Sequence, residues 1–126
     1  MRSPSTGFIS QNEREEMENI EPKRWDPSWG PLEEATLRSR YPAPRFRVAF
    51  KRLPRGHGSS GAMHEGICFV LAGEAHYKFA GVTISIPSGA FAELPQGSYE
   101  LHAVGIEALH AATVFDLRLL LPDAKA

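Results

Sequence analysis

From Arg45 onward the chain is a succession of short runs rich in β-branched and aromatic residues: "RFRVAFKRL", "GICFVLA", "EAHYKFA", "VTISI", "AFAEL", "YELHAV" and "AATVFDLRLLL". Segments bearing Gly or Pro, such as "PRGHGSSG", "PSG" and "PQG", separate them. Branched and aromatic side chains suit a pleated, half-buried surface, while Gly and Pro supply the turns between such surfaces. The spacing predicts an all-β sandwich or barrel. In "VTISI", Val82, Ile84 and Ile86 alternate with Thr83 and Ser85, the period of a strand with one wet face. The last run is predicted to bury Phe115, Leu117, Leu119 and Leu121 on one face, with Asp116 and Arg118 on the other. Helices do not alternate with the strands and no glycine-rich phosphate loop occurs, so no nucleotide-binding parallel sheet is suggested.

Upstream of the strands the sequence changes character. Residues 1–22 are polar, lack an apolar stripe and read as a flexible arm. Residues 23–44, "KRWDPSWGPLEEATLRSRYPAP", carry both tryptophans and one short helical candidate, with Pro31 at its first position and Glu33 and Glu34 in its first turn. Leu32, Ala35 and Thr36 would form its thin inner face. Trp25 and Trp29 are too large to leave in water, so this segment is expected to pack on the barrel or on a second subunit. The barrel itself is assigned to residues 45–122 and a short tail to 123–126.

With 126 residues and a net charge of −1, the chain fits one domain with no overall pull toward nucleic acid or an anionic membrane. It has a single cysteine, Cys68, so an intrachain disulfide and a cysteine-built zinc site are excluded. Cys68 lies in the apolar run "ICFVLA" and reads as a small packed thiol. No apolar run is long enough for a membrane helix, and the N-terminal stretch has no apolar signal core. The expectation is a cytoplasmic protein.

Local charge is more informative than the total. Arg38, Arg40, Arg45, Arg47, Lys51, Arg52 and Arg55 crowd one stretch that contains no acidic residue. Within "RFRVAFKR", Phe46, Val48 and Phe50 share one strand face, and Arg45, Arg47 and Lys51 share the other. The basic face is either solvated, or a patch for an anionic ligand or for an acidic surface of a partner subunit. No recognition helix or aromatic-basic RNA motif accompanies it.

The order of the pieces resembles the cupin superfamily. "FVLAGEAHYKFAG" (Phe69 to Gly81) is similar to the strand–glycine–strand element that closes the first cupin motif. "GVTISIPSGAFAELPQGSYELHAVG" (Gly81 to Gly105) is similar to the second, and "RLPRG" to the turn that precedes the first. The resemblance implies an all-β fold, a cupin-type double-stranded β-helix or jelly-roll barrel, with an irregular, short-helical N-terminal segment. Its standard metal centre of three His and one Glu does not carry over. The positions of the His-x-His pair fall on Ala62 and His64, that of the Glu on Gly66, and that of the last His on Glu100.

Two readings of the strand "YELHAV" stay open. The resemblance points Glu100 and His102 into the barrel, where with His64 they would form a rearranged site for zinc, iron, manganese or nickel. Alternation points Tyr99, Leu101 and Ala103 inward instead, because a one-residue change of register exchanges the faces. The function expected is binding of a small organic ligand, without a metal cofactor, in a barrel lined by Phe69, Leu71, Tyr77, Phe79, Phe91 and Tyr99. The alternatives are a cupin oxygenase, isomerase, lyase or cyclase using the rearranged metal or a Glu100/His102 acid–base pair, and a regulatory protein-interaction module. A homodimer is expected, with "RFRVAFKRL" and the tryptophan segment as candidate contacts.

Overall fold

The computed structural model describes residues 20–120, so the predicted N-terminal arm lies almost wholly, and the C-terminal tail wholly, outside the described residues. Among the described residues there are nine strands: β1 (Lys23–Arg24), β2 (Phe46–Leu53), β3 (Gly58–Met63), β4 (Gly66–Ala72), β5 (Ala75–Phe79), β6 (Val82–Ile86), β7 (Ala90–Leu94), β8 (Gly97–Ala103) and β9 (Leu109–Asp116). They form two antiparallel sheets, one in the order β1-β7-β4-β9-β2 and the other β3-β8-β5-β6. Inner faces pack together through Cys68, Val70, Tyr77, Phe79, Ile84, Leu94, Leu101 and Leu109. The result is an all-β jelly-roll barrel. Among the described residues, no helix is long and apolar enough to cross a membrane.

A second apolar cluster lies outside the barrel, on the far face of the five-stranded sheet. Residues 23–44 cover that face, so the tryptophan segment packs on its own chain. Trp25 stands edge-on to Phe69 with ring centroids 5.8 Å apart, and its indole N–H donates to the Gly30 carbonyl at 2.8 Å. Helix α1 (Glu34–Arg40) begins three residues after the predicted Pro31 start and buries Leu37 rather than Ala35. Glu34 in its first turn and Arg38 and Arg40 in its last complement the helix dipole.

Two strand assignments need correction. "GSSGAM" is not a loop but β3, paired with β8 from Gly58 opposite His102 to Met63 opposite Gly97. Gly and Ser have low strand propensity, but the backbone ladder holds them, and Gly58 and Gly61 leave room for the side chains of His102 and Tyr99 beside them. The last strand also stops at Asp116 instead of running to Leu121. Asp116 caps a short helix, α2 (Leu117–Leu120), by accepting the Arg118 amide at 3.1 Å. Arg45 grips the same carboxylate at 2.8 Å, and holds it below the usual carboxylate range.

Candidate functional site

Strand β2 is turned the opposite way from what its composition suggests. Its apolar residues Phe46, Val48 and Phe50 face outward, under the cover made by residues 23–44. The alternate residues Arg47, Ala49 and Lys51 therefore face the space between the sheets, and Leu53, next in that series, packs on the inner core. Arg47 is exposed at the entrance, whereas Lys51 is half-buried and donates to the Ser59 hydroxyl at 3.2 Å, joining the edges of the two sheets.

These residues open onto a cavity of about 290 Å³ at one end of the barrel. Met63 and His64 of the β3 end, Tyr77, Tyr99, Thr113 and Phe115 line it together with β2. Tyr77 and Tyr99 meet at 5.5 Å between ring centroids, edge to face. Beneath them the Cys68 thiol donates to the Tyr77 hydroxyl at 3.6 Å, with the Thr113 side chain beside both groups. Burial pushes the thiol up to about 11 and the phenol well above its ordinary value, so both stay protonated at neutral pH. Cys68 is accordingly a packed thiol and not a nucleophile. Native protein is expected to resist a thiol reagent such as iodoacetamide at pH 8, with one equivalent reacting only after denaturation, a difference read by mass spectrometry.

The predicted site residues separate into three places. Tyr77 and Tyr99 line the cavity, and His64 stands exposed at its rim. Phe79 belongs to the inner core. Phe69, Leu71 and Phe91 do not line the barrel; they face out under residues 23–44, stacked in part on one another, with Phe69 and Phe91 5.3 Å apart. Strand β4 is apolar on both faces because both are covered, and alternation cannot say which face is inside. Arg47, Lys51, Thr113 and Phe115 complete the cavity. The basic face of "RFRVAFKR" was visible in the sequence, but not that its Arg47 and Lys51 turn toward the cavity.

Glu100 and His102 do not enter the barrel. Leu101 and Ala103 face inward, with Leu101 fully buried, while the side chains of Glu100 and His102 are 63% and 42% exposed on the outer face of the four-stranded sheet. There His102 lies opposite His76 and Glu100 opposite Lys78. His64 follows Met63, the partner of Gly97, five residues along β8 from His102, or about 17 Å at the strand rise. Glu100 and His102 meet at 3.5 Å on that outer face, but His64 is not brought to them, and alternation, not the family spacing, gives the register.

The positions of the family's metal pattern do not fit a centre of three His and one Glu. At Gly66, where the Glu would stand, a Cβ would lie 2.8 Å from the Val114 carbonyl oxygen and 3.0 Å from the Phe115 ring. The ring of Phe115 occupies the space a ligand side chain would need. Ala62 carries no donor, and Glu100 points out of the barrel.

No protein-family model matches the chain, and no curated protein matches it. Solved structures do. A cupin 2 domain-containing protein from Halorhodospira halophila superposes with a TM-score of 0.54 at 17% identity, covering 77% of this chain and 75% of that one. The chain has the cupin fold. Salicylate 1,2-dioxygenase from Pseudoaminobacter salicylatoxidans, solved in complex with gentisate, aligns at a TM-score of 0.51 and 17% identity over 63% of this chain and 22% of its own. Ethanolamine utilization protein Q from Salmonella typhimurium aligns at 0.49 and 19% identity over 56% of this chain. The chain spans 57% of that protein's length. At these identities the likeness gives the fold alone.

Proposed function

We propose that this cupin-fold chain binds a small organic molecule in the mouth of the barrel, without a three-His, one-Glu metal centre. The observation that supports it is the cavity between the sheets, near the lower end of ligand-pocket sizes, with aromatic walls at Tyr99 and Phe115 and hydroxyls at Tyr77 and Thr113. A mostly apolar concave wall with a few fixed polar groups is how small molecules are oriented.

A fragment screen by amide chemical-shift mapping tests the reading. Signals of Ala49, Met63, Tyr99 and Thr113 are expected to move together, and those of His76 and His102 to stay in place. Glu100→Gln and His102→Ala are expected to leave fragment affinity unchanged, since both side chains lie on the outer face. Loss of binding in either variant would return the site to the β8 outer surface and overturn the proposal.

A further inference from the structure

The ligand class follows from how the basic stretch is satisfied, an inference that rests on the cavity being the ligand site. Five of the seven cations between Arg38 and Arg55 have a carboxylate, aromatic or carbonyl partner. Arg38 lies over the Phe50 ring at 4.7 Å and Arg40 over Trp29 at 4.5 Å. Arg45 pairs with Asp116 at 2.8 Å and Arg52 with Glu34 at 3.6 Å, while Arg55 donates to the Ile106 carbonyl at 3.4 Å. Arg47 and Lys51 differ. Among the described residues neither meets a carboxylate or an aromatic face, and Lys51 has only the neutral hydroxyl of Ser59. These are the two cations that face the cavity, and no Asp or Glu is among its lining residues.

A cation half-buried without a counter-charge loses hydration and gains little in return. The same lysine is an advantage if an anion arrives, because the low-dielectric wall strengthens the pairing. We infer that the cupin cavity takes an organic acid with an aromatic or other apolar body. Its carboxylate meets Lys51, which Ser59 orients, and the body lies against Tyr77, Tyr99 and Phe115. Arg47, exposed at the entrance, raises the local concentration of anions and acts mainly on the rate of association.

Benzoate and benzamide, equal in shape and different in charge, are the probes. Benzoate is expected to shift the amide signals of Ala49, Tyr99 and Thr113, and benzamide to bind about tenfold more weakly or less, given that hydrogen bonds to a charged group carry more free energy than neutral ones. Lys51→Met is expected to abolish this preference and leave benzamide binding as it was. Arg47→Gln, a change at an exposed position, is expected to flatten the salt dependence of benzoate binding; it keeps the test available should Lys51→Met not fold. Equal binding of benzoate and benzamide by the native protein would overturn the anion assignment and leave the cavity as a site for neutral ligands. Binding of neither probe, nor of any fragment in the screen, would overturn the cavity reading itself.

Discussion

Gly66→Glu, the substitution that would restore the missing carboxylate of the family's metal pattern, is expected to destabilise the barrel and not to build a metal site. Position 66 is closed on two sides. A Cβ there would sit 2.8 Å from the Val114 carbonyl oxygen, a backbone atom held in the ladder between β4 and β9, and 3.0 and 3.1 Å from two carbons of the Phe115 ring. A backbone oxygen cannot swing aside as a side chain can. Gly66→Ala alone is therefore expected to cost about 1–3 kcal/mol, the range for overpacking a filled interior. The glutamate adds a longer, charged side chain at a half-buried position with no cation among the residues lining that end, so its cost exceeds that of the alanine. Since small domains have about 5–15 kcal/mol in all, a loss beyond the alanine's takes a large share of the stability. Urea unfolding followed by circular dichroism measures it, with Gly66→Ala as the graded control. Adding Phe115→Ala to Gly66→Ala is expected to recover only part of the loss, because the Val114 oxygen remains. A Gly66→Glu protein with an unchanged midpoint and stoichiometric zinc or iron by elemental analysis would show the position to be open.

Gly66 also marks how far the sequence alone reaches. The strands from β4 to β8 were legible because Gly and Pro turns cut them to length and because "VTISI" and "AFAEL" bury alternate residues. The Ala80–Gly81 turn, with φ of 49° and 87°, joins Phe79 to Val82 as a two-residue hairpin loop, matching the "AG" that separates those runs. Strand β3 was hidden since Gly58, Ser59, Ser60 and Gly61 have the composition of a loop and form a strand only against β8. The site was half legible. Alternation chose correctly on β8, where Tyr99, Leu101 and Ala103 contrast with Glu100 and His102. It had nothing to choose with on β4, where Cys68, Phe69, Val70 and Leu71 are apolar in both directions. On β2, Arg47 and Lys51 face the interior at the barrel mouth, and Phe46, Val48 and Phe50 face out. Only knowledge of the outer cover makes that orientation reasonable.

That cover gives the second large effect. Phe69→Ala is expected to cost about 3–5 kcal/mol, the range for truncating a large buried aromatic. Phe69 is 1% exposed and is the point where the outer layer closes. Its ring meets Trp25 and Tyr41 at 5.8 Å each and Phe91 at 5.3 Å, tying residues 23–44 to β4 and β7. Trp29→Ala is expected to cost much less, because Trp29 is 38% exposed and rests on the surface of the layer. Urea midpoints for the two variants give the contrast, and a double-mutant cycle of Trp25→Ala with Phe69→Ala should return a coupling of about 0.5–1.5 kcal/mol for the edge-on pair. A Phe69→Ala variant no weaker than Trp29→Ala would mean that the segment does not hold the sheet. The consequence reaches the cavity through β2. Phe46, Val48 and Phe50 can face away from the barrel only while something apolar covers them, and Arg47 and Lys51 face the mouth only while those three face out. Loosening the cover at Phe69 should therefore lower the hydrogen-exchange protection of the β2 amides before that of β5 and β6, which pair in the opposite sheet.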